Sequence, residues 1–119
     1  MADKAIPGLL GLATRAGQLL TGADRAAEMA RRGEAKLILV DEAASDNTRK
    51  RLSDSMQAHQ VPCLILQEDL LGRAIGKPGI MAVAMTTGGI TQRVLQLCQG
   101  QTHTALKATR GGTGSNDEG

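Results

Sequence analysis

The sequence predicts an α/β layered fold of one domain, with helices covering both faces of a sheet of about four strands. Three observations lead there. Segments with apolar residues every three or four positions alternate with short runs of consecutive apolar residues, the pattern of amphipathic helices interleaved with fully buried strands. A chain of 119 residues has room for one core of ordinary size and little more. At 41% hydrophobic and 22% charged residues it supports such a core, and with no Phe, Trp or Tyr that core must be made of Leu, Ile, Val, Ala and Met.

The elements follow in order. Leu9, Leu10, Leu12, Ala13 and Ala16 recur at helical spacing, so Gly8 to Ala16 forms a short helix, with Pro7 tolerated at its start and Gly17 closing it. Gln18 to Leu20 is a brief extended segment. Thr21 is placed to cap a helix from about Ala23 to Arg32, with Gly22 in its first turn and Gly33 as its stop. Lys36 to Val40 reads as a lysine followed by four large apolar residues, which suits a strand buried on both faces. Ser45 caps a helix to about His59, whose inner face carries Leu52, Met56 and, at its end, His59. Val61 to Leu66 is a second buried strand, entered through Pro62. Glu68 to Ile75 forms a helix closed by Gly76, Ile80 to Met85 a third apolar strand, and Thr87 caps a last helix from Gly88 to Leu97. No internal repeat is present. Residues 1–99 thus make one domain, and Gly100 to Gly119, rich in Gly, Thr, Ser and Asn without periodicity, is expected to be a disordered tail.

Composition excludes several functions. Fourteen basic residues against twelve acidic ones give a formal charge of +2, which permits a nucleic-acid partner without demanding one. The absence of aromatics excludes a single-strand reader that stacks bases on rings. Cys63 and Cys98 sit in apolar runs with no CxxC spacing, so buried free thiols are expected rather than a disulfide framework or a zinc site. The first residues lack the apolar core of a signal peptide, and no apolar run approaches the ~18 residues of a membrane span. The expectation is a soluble, cytoplasmic protein with no membrane partner.

For catalysis the residues offer little. His59 lies at a helix end and His103 in the tail, leaving no nucleophile with a base in reach. Asp41 and Glu42 follow a strand, where ligands of open α/β sheets gather, but a solvated loop accounts for them more simply. The stretch from Gly72 to Pro78 lacks the Ser or Thr of a phosphate loop. No catalytic residue, cofactor or metal is expected. Arg49, Lys50 and Arg51 point about 100° apart on a helix, which makes them a solvated face rather than one clamp. Thr21 to Arg25 is the more suggestive stretch, since a helix N-terminus with a glycine beside it presents amides to which a phosphate or a groove edge can come close. An ordinary cap explains it equally well.

The segments LLGLATRAGQLLTG (9–22), GEAKLILV (33–40), ASDNTRKRL (44–52), VPCLIL (61–66) and LLGRAIGKPG (70–79), taken in order, resemble the YlxQ-like bacterial branch of the kink-turn-binding ribosomal proteins, the L-seven-Ae and L-thirty-e type. The resemblance runs from about Ile6 to Leu97. It implies a three-layer α-β-α sandwich with a four-stranded mixed sheet, and a non-catalytic protein that stabilises a kink-turn in structured RNA, ribosomal RNA among the candidates. By the same match Gly22, Ala23, Asp24, Arg25 and Glu28 occupy the recognition helix that faces tandem sheared G·A pairs. Lys77, Pro78, Gly79 and Ile80 form the loop that packs against an extruded nucleotide, and Lys36 pairs with a phosphate. The family's well-studied binders place Asn, Glu and Lys where this chain has Asp24, Arg25 and Glu28. Asp accepts but does not donate, Glu28 adds repulsion toward phosphate, and Arg25 offers a compensating bidentate contact to guanine. Two further roles remain open on this basis: a substrate-recognition partner of an RNA 2′-O-methyltransferase, and a protein-interaction module that has lost RNA binding.

Overall fold

The computed structural model describes residues 4–106. Its elements run α1 (Ala5–Ala16), β1 (Leu19–Thr21), α2 (Ala23–Arg31), β2 (Leu37–Asp41), α3 (Asp46–Gln57), β3 (Cys63–Leu66), α4 (Leu70–Ile75), β4 (Ala82–Met85) and α5 (Gly89–Leu97). The four strands form one sheet in the order β1-β4-β2-β3. β2 and β3 are parallel, while β4 runs antiparallel to both β1 and β2, so the sheet is mixed.

Every residue of β2 is buried, as its unbroken apolar run requires, and its side chains alternate between two cores. Leu37 and Leu39 join Leu64, Leu66, Val83 and Met85 beneath α1, α4 and α5, which contribute Ile6, Leu10, Leu71, Ile75 and Val94. Ile38 and Val40 face the other way, with Cys63, Ala82 and Ala84, beneath α2 and α3. The two cores differ in grain. The first is packed with Leu, Ile and Met, whereas α2 meets β4 through Ala26, Ala27 and Ala30 against Ala82 and Ala84. Methyl groups alone separate that helix from that strand, so α2 lies close to the sheet and its first residue is placed by β4.

Most element boundaries move by one to three residues from the sequence expectation. α1 begins at Ala5 because Pro7 falls within the first turn, where no intrahelical N–H is needed, and Ile6 is fully buried. Gly17, at φ 71°, ends the helix as expected. Ser45 caps α3 by accepting from the Thr48 amide at 3.2 Å. Two other expected caps are corrected. Thr21 is the last residue of β1 and the N-cap of α2 is Gly22; likewise Gly88, not Thr87, caps α5. His59 is not on the inner face of α3: it is exposed, and its ring lies over Gly33, where a Cβ would come within 2.9 Å of it.

The expected tail is also corrected in part. His103 forms an antiparallel bridge with Cys63 on the outer side of β3, through N–H···O bonds of 2.7 and 2.8 Å. The amide of Leu106 donates to the hydroxyl of Ser53 on α3 at 3.0 Å, and its side chain is buried in the α2/α3 core. One bridge and one apolar residue leave no periodicity to detect. The rest of the expected tail, 107–119, lies outside the described residues.

Both cysteines are free and buried. Burial pushes the Cys63 thiol up to about 12, against a smaller opposing pull from Arg49, and burial raises Cys98 as well, partly offset by a hydrogen bond to backbone. Because the folded state holds the Cys63 proton more tightly, the stability involved is complete below the ordinary value of 9.0 and is lost as pH rises toward about 12. Two outcomes are expected. Neither thiol reacts with an aromatic disulfide reagent at pH 8 until denaturant unfolds the chain, and urea titrations followed by ellipticity show stability falling above pH 9 by up to about 1.4 kcal/mol per pH unit through Cys63. In the same assay Leu106→Asp costs about 2–3 kcal/mol, through lost apolar burial and a charge placed in the core.

Candidate nucleic-acid interface

Three segments converge where β2 ends and β4 begins. The first is the start of α2. Gly22 has φ 107° and ψ 141°, a backbone conformation that side chains disfavour. Its amide donates to the carbonyl of Ala82 at 2.9 Å and its carbonyl accepts from Ala26 at 2.9 Å, so one residue ties the helix to the first residue of β4. No side chain caps the amides that open the helix. Ala23 is half-buried against the α2/α3 core, and Asp24, Arg25 and Glu28 are exposed.

The acidic residues of α2 do not stand alone. Asp24 pairs with Arg51 of α3 at 2.5 Å, and Glu28 pairs with Arg31 at 2.5 Å and with Arg32 at 3.9 Å. The repulsion that Glu28 would impose on a phosphate is therefore largely cancelled within its own helix. Arg25 makes no ion pair among the described residues.

The second segment is the loop from Lys77 to Ile80. It turns through a 3.2 Å bond from the Ile80 amide to the Lys77 carbonyl, with Gly79 at φ 89°, and presents Lys77 and Pro78 to solvent with Ile80 half-buried. The loop lies directly on Gly72 of α4. A Cβ there would stand 2.9 Å from the Lys77 carbonyl oxygen and 3.2 Å from the Pro78 Cα, so the missing side chain makes room for the loop. Four residues separate Pro78 from Ala82, at most about 14 Å of chain, which keeps Pro78 within roughly 20 Å of Gly22.

The third segment, the turn between β2 and α3, was not singled out by the sequence as a positioned element. Asp41, considered above as a candidate acid, is instead fully buried. Its Oδ1 accepts from the Ala43 amide at 2.7 Å and its Oδ2 from the Asp69 amide at 2.8 Å, joining the ends of β2 and β3. Asp69 itself has φ 73°. Arg49 is buried rather than solvated, and donates from Nη2 to the Glu42 carbonyl at 2.8 Å and from Nε to the Ala44 carbonyl at 3.3 Å. Of the basic run, Lys50 faces solvent and pairs with Asp54, while Arg51 reaches α2. The turn thus leaves Glu42 and Ala43 exposed on a rigid frame, beside the amide of Asp41 that donates to Met81 at 2.8 Å.

Lys36 lies elsewhere. Its amide donates to the Met85 carbonyl at 2.8 Å, at the end of β2 away from Ala82, and it borders an open depression with Met29, Gly33, Glu34, Thr86 and Thr87. Lys36, expected to pair with a phosphate, is thus separated from Gly22 by about 13 Å along the ladder. Among the described residues no group of three or more His, Cys, Asp or Glu could hold a metal ion, and no helix is long and apolar enough to cross a membrane.

Known proteins resemble this chain in sequence and in fold. The chain is 38% identical to the RNA-binding protein YlxQ of Bacillus subtilis over 90 residues, covering 75% of this chain and 90% of that one. It is 33% identical to the RNA-binding protein YlxQ of Enterococcus faecium over 93 residues, 77% and 89% of the two chains. Among solved structures, a protein of unknown function from Bacillus halodurans superposes with a TM-score of 0.73 at 31% identity, covering 80% of this chain and 97% of the other. The Giardia lamblia 15.5kD RNA binding protein shares the fold, with a TM-score of 0.61 at 18% identity over 82% of this chain and 91% of its own. Residues 4–94 match the Ribosomal protein L7Ae/L30e/S12e/Gadd45 family, and with a mixed four-stranded sheet between two helical layers the chain belongs to that family.

Proposed function

We propose that this protein is a non-catalytic RNA-binding module that recognises a kink-turn in structured RNA, ribosomal RNA among the candidates, and shifts the RNA toward its bent form. The observation that carries the reading is the hydrogen bond from Gly22 to Ala82, which sets the start of α2 and the Lys77–Ile80 loop at the same end of the sheet's strands. Relatives that bear the name RNA-binding protein cover most of the chain and support it. In this reading Gly22 and Ala23 admit the RNA backbone to the helix, and Arg25 reads a base edge in the groove. Lys77 meets a phosphate, while Pro78, Gly79 and Ile80 supply an aliphatic surface for an unstacked nucleotide. Asp24 and Glu28 act through their arginines rather than on the RNA. A surface of amides, aliphatic groups and arginines reads a preformed RNA shape without aromatic rings.

The test is a titration into a short labelled RNA carrying a three-nucleotide bulge followed by tandem G·A pairs, beside a control with those pairs made Watson–Crick, with bending followed by energy transfer. Binding and bending of the first RNA alone is expected; equal weak binding to both would overturn the reading. Arg25→Glu weakens binding at least tenfold, in keeping with about 1–3 kcal/mol for a bidentate arginine contact, and leaves the thermal unfolding curve unchanged. Gly72→Ala alters no charge, yet by forcing the 77–79 backbone outward it weakens binding and lowers stability by about 1–3 kcal/mol, read in the same titration and by urea unfolding.

A further inference from the structure

We infer that Arg51 is a phosphate-contacting residue of this surface, contributed by α3 and aimed by Asp24. The inference rests on the RNA-binding reading above and extends the contact surface beyond α2 and the loop that follows α4.

The cations near the site divide by what already holds them. Arg49 is buried, with its guanidinium spent on the carbonyls of Glu42 and Ala44. Lys50 points away along its own helix to Asp54, and Arg31 and Arg32, paired with Glu28, lie at the end of α2 remote from Gly22. Arg51 differs from these in where it stands, at the start of α2. It leaves α3, crosses to the second residue of α2 and meets the Asp24 carboxylate through Nη1 at 2.5 Å, with 54% of its side chain still exposed. A guanidinium has five N–H donors in a planar fork, and a contact on one carboxylate oxygen leaves donors facing solvent at the start of α2. Phosphate is the group that such a planar fork suits.

Asp24 then has a positioning task. At 80% exposure it would by itself repel a polyanion, but with Arg51 against it the pair presents guanidinium N–H groups on an edge where α2 alone offers Arg25. The neighbouring helix thereby adds a second cation to the one that α2 offers at its start.

Salt dependence tests this directly, because each phosphate neutralised adds about one to the slope of log K against log salt concentration. The RNA is the bulged, tandem G·A duplex described above, and the intact wild-type chain sets the baseline slope. Arg51→Ala is expected to weaken binding about tenfold and to lower the slope by about one, whereas Arg51→Lys keeps the slope and loses part of the affinity, since it retains the charge without the fork. Asp24→Asn in the Arg51→Ala background recovers part of the loss by removing the unmasked carboxylate. Thermal unfolding followed by ellipticity confirms that each variant is folded, as expected for two exposed positions. A slope and affinity unchanged in Arg51→Ala, with the wild type binding normally, would overturn this inference alone. Wild-type chain that shows no salt-dependent binding to the RNA would overturn the RNA-binding reading and this inference with it.

Discussion

The hydrogen bond between the Gly22 amide and the Ala82 carbonyl fixes the relation between the two segments on which the proposed site depends. It forms because β1 and β4 pair with Thr21 opposite Val83, which sets the next residue of one chain against the preceding residue of the other. The helix can then start at once, without a connecting loop, only if its N-cap accepts a positive φ. Glycine meets that requirement, and the alanines of α2 and β4 let the helix lie down on the strand it is bonded to. Bulk at the alanines lifts α2 and moves the start of the helix relative to the loop before β4, whereas at Gly22 a Cβ meets nothing within 4 Å and the cost of a side chain is the strained φ of 107°.

A second layer of constraint holds the remaining turn. A buried carboxylate is costly unless its oxygens are satisfied, and each oxygen of Asp41 takes one backbone amide from a different turn. Arg49 works on the same turn from the opposite side, as a donor to carbonyls. The exposed residues of this edge therefore stand on backbone that is held by side chains pointing inward. Rigidity of this kind favours recognition of an RNA shape over adaptation to an arbitrary sequence.

How much of this was legible in the sequence depended on what each residue's neighbours reveal. The run Leu37–Val40 announced a buried strand because no solvated face interrupts it, and the alternation of helices and such runs gave the layers. Strand pairing was not legible from periodicity, and the mixed sheet came only from the resemblance to a family. Ser45 was readable as a cap because its side chain acts three residues away, whereas Thr21 and Thr87 had the same chemistry but stood in front of glycines that took the role. The three residues Arg49, Lys50 and Arg51 illustrate the limit. Side by side in sequence, they end in the core, in solvent and on another helix, and only the placement of α3 against the β2–α3 turn and α2 separates them. Asp41 posed the same difficulty, since a carboxylate after a strand looks alike whether it faces solvent or two buried amides. The position of Lys36 beside β2 likewise does not say at which end of the strand it stands, and the structure puts it at the Met85 end.

The bridge between His103 and Cys63 also bears on how the sheet meets other chains. A sheet with two open edges is a template for strand addition, and proteins protect such edges by shortening or covering them. Here the β1 edge is three residues long, too short a ladder for a foreign strand to gain much from. The β3 edge is longer, but Cys63 already exchanges both of its outward hydrogen bonds with His103. His103 therefore occupies the start of that edge against intermolecular pairing, so that the proposed RNA-facing surface at one end of the strands need not make the chain adhesive along its sheet.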